Sequence, residues 1–131
     1  MYEWLFAPPG SPVPDWDPER AAAALRHAVS SDSAVVLIAV LEDRFVGLCT
    51  AYDELESVRF SRRVWVEDLA VDPEHRSRGI GKQLLDEAKR WAQARGASRL
   101  ALDSGEARTD AHRFYEREHP SYRSISFGWF F

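Results

Sequence analysis

Residues 74–85 read "EHRSRGIGKQLL", and this stretch decides the fold. Two arginines, Arg76 and Arg78, and two glycines, Gly79 and Gly81, fall within six positions, and apolar residues at helical spacing begin at Ile80. A helix start presents unpaired N–H groups and the positive end of the helix dipole, and glycine lets an anion approach the backbone closely. The stretch therefore predicts an anion site where a strand passes into a helix.

The flanking segments predict alternating helices and strands in one domain. Asp17 and Pro18 predict the start of a first helix, and Gly96 marks the end of the helix that begins at Ile80. Glu42-Asp43-Arg44 predicts a hairpin turn. Strands are predicted at 34–41, 45–52, 64–71, 98–103 and 124–131, a polar loop at 53–63, and a last helix at 109–118 with Thr109 as N-cap. The expected class is α/β (α+β), with a mixed, mostly antiparallel sheet flanked by helices in a single domain, 1–131, whose residues 1–16 are irregular.

Two nucleotide-binding motifs are excluded at the glycine turn. A Walker A loop needs a serine or threonine after Gly-Lys, but Gln83 follows Lys82, and Arg76 stands where its first glycine belongs. A dinucleotide fingerprint needs a third glycine at position 84, which is Leu84.

A third pattern fits. Residues 76–81, RSRGIG, match Arg/Gln-x-x-Gly-x-Gly/Ala, the preceding "VEDLAVDPEHR" (66–76) has the form of a strand and turn, and "AHRFYER" (111–117) follows at the expected distance. Together they resemble the GNAT superfamily of acyl-CoA-dependent N-acetyltransferases over roughly residues 34–118. Two departures stand out: Arg108 occupies a position where the family often has asparagine, and Glu118-His119-Pro120 replaces the usual continuation of the last helix. The family's first strand is also missing unless "YEWLF" (2–6) forms it.

The resemblance implies a co-substrate, acetyl-CoA, whose pyrophosphate lies on the backbone N–H groups from about Arg78 to Lys82. It also implies that the pantetheine arm lies in a gap beside the central strand, where the backbones of Leu69 and Val71 pair with it or hold the thioester oxygen. The implied cofactor-binding residues are Leu69, Ala70, Val71, Arg76, Ser77, Arg78, Gly79, Ile80, Gly81, Lys82 and Phe114.

The same resemblance suggests the catalytic groups. Tyr115 occupies the general-acid position, and an ordinary phenol is protonated at neutral pH and can donate to a thiolate. Glu67 is preferred as the base or amine-orienting group, with Asp68 second. Because neighbours on a regular strand point to opposite faces, only one of the two is expected to face the cleft. A packed aromatic role for Tyr115 and a solvated role for both carboxylates remain alternatives.

The predicted reaction is transfer of an acetyl group to a primary amine of a small molecule by direct attack. The resemblance implies that the loop after the preceding strand lies near the acceptor, so Asp53, Glu54 and Glu56, with Glu67 and Asp68, favour a cationic acceptor. A solvated acidic loop is the alternative. A protein or peptide amine, or a non-enzymatic acyl-CoA-binding module, is the alternative function. A homodimer is compatible with this prediction.

Bulk properties exclude other classes. The net charge of −4 argues against nucleic-acid binding, and no apolar run approaches the about 20 residues that cross a bilayer. The N-terminal "MYEWLFAPPG" does not have the pattern of a signal peptide. No metal-ligand spacing is present. The single Cys49, interpreted as a core residue, fits a reducing compartment, so the expected location is cytoplasmic.

Overall fold

A computed structural model of the chain describes residues 1–59 and 61–130. In chain order the elements are α1 (Tyr2–Phe6), α2 (Pro18–Ser30), β1 (Ala34–Leu41), β2 (Arg44–Asp53), β3 (Arg63–Val71), a 3-10 turn (Pro73–His75), α3 (Ile80–Ala94), β4 (Arg99–Leu102) and α4 (Thr109–Arg117). No helix within these residues is both long and apolar enough to cross a membrane.

The strands form a sheet in the order β1-β2-β3-β4. The β1–β2 and β2–β3 pairs are antiparallel, and the β3–β4 pair is parallel. The parallel pair requires a crossover, and α3 supplies it. The predicted α+β class and the mostly antiparallel sheet are therefore confirmed.

Local backbone signals explain the main turns. Glu42 and Asp43 both have positive φ, 48° and 61°, which is the geometry of a two-residue hairpin loop that follows the twist of the strands. The Asp17 side chain accepts a hydrogen bond from the Glu19 N–H, and Pro18 begins α2, as predicted. Gly96 has a φ of 72° just beyond α3 and needs glycine for that conformation.

The core lies between the sheet and α3. Cys49, Ala51, Val64 and Val66 on one sheet face pack against Leu84, Ala88 and Ala92 of α3. Cys49 is fully buried and unpaired, so its interpretation as a core residue is confirmed. α1 packs on β3, and α2 packs on β1.

The structure corrects three sequence predictions. Residues 2–6 form helix α1, so this part of the segment is neither irregular nor a strand. Arg108, not Thr109, precedes the last helix as its N-cap, and no side chain caps that helix. Residues 124–130 form no strand, because no neighbouring strand pairs with them, and Phe127 and Trp129 stay 78% and 77% exposed. Phe131, which ends the predicted strand, and Phe60, within the predicted loop 53–63, lie outside the described residues.

Candidate active site

The glycine turn joins β3 to α3 through a short, internally braced loop. The Asp72 side chain accepts from the Glu74 N–H, and one of its oxygens lies 3.0 Å from His75 Nδ1. Ser77 and Gly79 then take positive φ values of 61° and 79°. Gly79 occupies the N-cap of α3, and no side chain caps this helix start. The first N–H groups of α3 are thus left for an external acceptor, as an anion site requires.

The three cations predicted around this turn are arranged unequally. Lys82 Nζ lies 2.9 Å from Asp86 and 3.0 Å from Glu118, which raise its pKa. Arg76 Nε donates to the Val71 carbonyl at 3.3 Å. Arg78 is exposed and lines a cleft that lies beside the β1–β2 hairpin. Arg78 is therefore the arginine at this turn whose side chain points toward a cleft.

A gap opens between β3 and β4. Their pairing runs only from Arg63↔Arg99 to Val66↔Leu102, while β3 continues to Val71. The Asp68 N–H points toward β2, where it donates to Thr50 Oγ1 at 3.1 Å. Since backbone groups alternate along a strand, those of Leu69 and Val71 point toward the gap. A Cβ on Gly81 would lie 3.6 Å from Val71 and 3.7 Å from Phe114, so these three predicted cofactor residues adjoin one another at the end of the gap.

A β-bulge changes the expectation for the two carboxylates. Thr50 pairs with Asp68 but the next residue, Ala51, pairs with Val66, so Glu67 is the extra residue in β3. Tyr52 Oη donates to Glu67 Oε2 at 3.4 Å, and Thr50 Oγ1 donates to Asp68 Oδ2 at 2.7 Å. Thr50 and Tyr52 lie two apart on β2 and share a face. The bulge therefore breaks the expected alternation and puts both carboxylates on one sheet face, although only Glu67 lines the cleft.

The carboxylates differ in their surroundings. Asp68 Oδ2 accepts from two hydroxyls, those of Tyr2 at 2.9 Å and Thr50. Glu67 is exposed at the cleft, yet partial burial and then the charge of Asp68 raise its pKa, while hydrogen bonds from Tyr52 and Trp65 oppose the shift. Asp68 is thus an occupied acceptor, and Glu67 is the accessible carboxylate, with a raised pKa.

Glu67 opens into a cleft of about 370 Å³, the size range of small-molecule sites. Its lining residues combine aromatic and acidic side chains: Tyr52, Glu54, Trp65, Val66, Glu67 and Asp103. Asp103 also contributes to raising the Glu67 pKa, which shows that its charge lies close by. The cleft therefore carries negative charge from strand β3 and from the segments that follow β2 and β4.

The acidic loop after β2 is divided by the fold. Glu54 lines the cleft, but Arg63 Nη2 donates to it at 2.9 Å. Asp53 was predicted to lie beside the acceptor together with Glu54. Its carboxylate instead accepts a hydrogen bond from Arg95 Nε at 2.8 Å, at the end of α3, and Asp53 is not among the residues that line the cleft. Glu56 is exposed and is not among the lining residues.

Tyr115 lies near Cys49, on the α3 side of the sheet. Burial, followed by the nearby Cys49, raises the pKa of Tyr115 to about 12, and Arg108 opposes the shift. Burial likewise raises the pKa of the Cys49 thiol to about 12, with a further contribution from Asp68. Cys49 is therefore close enough to interact electrostatically with both Tyr115 and Asp68.

Sequence reasoning missed Tyr2, Thr50, Trp65 and Asp103. Thr50 lies opposite Asp68 only because β2 pairs with β3, and Trp65 comes near Glu67 only in the folded sheet. Asp103 follows β4, which pairs with β3. A signal existed for Asp103 alone, because it ends the predicted strand 98–103. No cluster of three or more potential metal ligands occurs within residues 1–59 and 61–130.

Comparisons with known proteins agree with this architecture. The chain matches the model of the Acetyltransferase (GNAT) family over residues 1–119. An uncharacterized N-acetyltransferase of Bacillus subtilis (strain 168), YhdJ, is 37% identical over 100 residues, which cover 76% of this chain and 69% of the relative.

Two solved structures share the fold at low identity. An aminoglycoside acetyltransferase, meta-AAC0020 from an uncultured soil metagenomic sample, solved in complex with sisomicin, is 22% identical, with a TM-score of 0.79 and coverage of 100% of this chain and 82% of that one. AAC(6')-Iy in complex with the bisubstrate analog CoA-S-monomethyl-acetylneamine is 21% identical, with a TM-score of 0.80 and coverage of 98% and 86%. From the family match and the relative's identity, the chain belongs to the GNAT family and is an acyl-CoA-dependent N-acetyltransferase.

Proposed function

We propose that this protein is a single-domain enzyme that transfers an acetyl group from acetyl-CoA to a primary amine of a small molecule by direct attack. One observation carries the acceptor assignment: the bulge at Glu67 places two carboxylates on one face, and one of them lines a cleft with aromatic walls. The other carboxylate, Asp68, is held in place by two hydroxyls.

The residues present fit the co-substrate. The uncapped start of α3 offers N–H groups to a pyrophosphate, and Gly79 and Gly81 leave the approach open. Leu69 and Val71 offer backbone groups to an extended pantetheine arm along the gap, with Phe114 beside it. Acetyl-CoA, when bound, supplies an activated acyl group and a thiolate leaving group.

The chain's own groups then handle the protons. A primary ammonium must lose a proton before its nitrogen can attack, and Glu67, with its raised pKa, accepts that proton directly or through water. As nitrogen bonds to the acyl carbon and the carbon–sulfur bond breaks, the Tyr115 hydroxyl donates a hydrogen bond to the departing sulfur, and the second proton that the nitrogen loses neutralises the thiolate through solvent. Backbone N–H groups at Leu69 or Val71 stabilise the carbonyl oxygen.

The charge of the cleft supports a cationic acceptor. Glu67, Asp68 and Asp103 gather on one side of β3, whereas the phosphate-binding turn lies beyond its end at Val71. Separation of the two charges keeps the anionic and cationic ligands apart. The fold neighbours that take aminoglycosides, which carry several ammonium groups, agree with this class.

The test is a screen of amines for thiol release from acetyl-CoA, with polyamines, aminoglycosides, peptides and neutral amines as separate arms. Glu54→Gln removes a lining charge and leaves the charge of Arg63 unbalanced, so it should raise the KM of a cationic acceptor several-fold. Glu56→Gln, from the same loop but outside the cleft, is the matched control and should not. Turnover of peptides alone, of neutral amines alone, or of none would contradict the proposal.

A further inference from the structure

Helix α1 is too short to hold its position by itself. It has five residues and none is buried, whereas isolated helices of fewer than about 12 residues are marginal in water. Its aromatic side chains meet Trp16, with ring centroids 5.4 Å from Tyr2 and 4.5 Å from Phe6. The position of α1 must therefore come from contacts with the rest of the fold.

Two polar contacts fasten α1 to the rest of the fold. At its start, Tyr2 Oη donates to Asp68 Oδ2 at 2.9 Å. Near its end, Arg108 Nη2 donates to the Leu5 carbonyl at 2.6 Å. A Cβ on Gly10 would clash with both the Leu5 oxygen and Arg108 Nη2, so the chain is closely packed at this second contact.

The first contact reaches the reacting groups. Asp68 Oδ2 is shared by Tyr2 and Thr50, and Thr50 Oγ1 also accepts from the Asp68 N–H. Burial raises the pKa of Tyr2, as do the charges of Asp68 and Glu67, so the phenol keeps its proton and remains a donor. Tyr2 thus lies over both carboxylates.

We propose that Tyr2 is a positioning residue of the acceptor site: its hydroxyl, with that of Thr50, fixes the Asp68 carboxylate beside Glu67 and holds α1 over the carboxylate pair. This inference rests on the proposed function, because it concerns the group that orients the amine. Loss of the hydroxyl frees Asp68 Oδ2 to rotate and releases the start of α1, while the aromatic packing with Trp16 remains. Small displacements of an orienting group cost large factors in rate.

The experiment compares Tyr2→Phe with the parent, using the best amine from the screen and a temperature well below both melting points. The expected result is a fall in kcat/KM for the amine of about tenfold or more, with an unchanged dissociation constant for acetyl-CoA measured by calorimetry. Tyr122→Phe is the matched control, since it also loses a phenol hydroxyl but its ring lies against Arg99, and it should behave as the parent.

A second pair tests the other hydroxyl. Thr50→Ser keeps the donor and should retain activity, whereas the isosteric Thr50→Val should lose kcat/KM as Tyr2→Phe does. A merely structural role would lower the melting temperature of these variants without separating serine from valine in kcat/KM. Parent-like kinetics in both Tyr2→Phe and Thr50→Val would overturn the inference. A parent that acetylates no amine would instead overturn the proposed function.

Discussion

The replacement Tyr115→Phe tests the assigned donor and allows its contribution to be worked out. The change keeps the ring, its packing beside Phe114 at a centroid distance of 5.2 Å, and the helix. It removes only the hydroxyl, whose pKa is raised to about 12 by burial. The proton therefore stays on Tyr115 throughout the physiological range, and the hydroxyl is always a donor.

The raised pKa limits what this donor can do. A thiol in water has a pKa of about 8.5, so full transfer of the Tyr115 proton to a thiolate is uphill by roughly 5 kcal/mol. A hydrogen bond to a charged group contributes about 1.5–3 kcal/mol. We therefore expect kcat to fall roughly 10- to 150-fold, as for a lost hydrogen bond to the departing sulfur. The parent should show no basic limb from Tyr115 below about pH 10.

The assay is thiol release from acetyl-CoA at saturating amine, with acetyl-CoA affinity measured separately by calorimetry. Tyr122→Phe serves again as the control for loss of a phenol hydroxyl. An unchanged kcat would make Tyr115 a packing residue. A fall beyond about 10⁴-fold would show instead that complete proton transfer by Tyr115 limits the reaction, and the hydrogen-bond account would be wrong.

Two further predictions concern the cofactor turn and the base. Gly81→Glu should abolish the rise in melting temperature that acetyl-CoA gives the parent, whereas Gly81→Ala should keep it, because a Cβ there meets Val71 and Phe114 at ordinary distances of 3.6–3.8 Å; equal behaviour of the two variants would argue against a ligand at this turn. Glu67→Gln should lower kcat/KM by about 10²–10⁴-fold, because it removes the base. The base must be unprotonated to act, and burial and Asp68 raise the pKa of Glu67. The acidic limb of the parent's pH profile should therefore lie above the ordinary glutamate pKa. A folded-state pKa above the unfolded one means that the charged carboxylate costs stability at higher pH, so Glu67→Gln should melt no lower than the parent at pH 7, and a large drop would assign Glu67 a structural role.

Local chemistry could be predicted where neighbouring residues decide it. Asp17 and Pro18 set the start of α2 through their own local chemistry. Gly96 ends α3 because few other residues adopt its φ. The same reasoning failed at 124–130, where alternation predicted a strand but a strand exists only with a pairing neighbour.

The candidate site shows the same division. The linear motif at 76–81 could be predicted because its glycines and the helix start lie next to one another in the chain. The shared face of Glu67 and Asp68 could not be predicted, because a bulge is a mismatch between two strands and has no mark within either one. Tyr2 is separated from Asp68 by 66 positions, so their hydrogen bond was beyond any local pattern.

By itself, the sequence determined the family and the order of the central strands and helices, and it predicted an anion site at the glycine turn, because each depends on residues close in the chain. Only the tertiary structure decided that both carboxylates share a face, that Asp53 binds Arg95, that Asp103 lines the cleft and that Tyr2 hydrogen-bonds to Asp68. The physical reason is that facing, burial and electrostatic coupling arise between strands and helices that are distant in sequence, and they take definite values only when those elements pack.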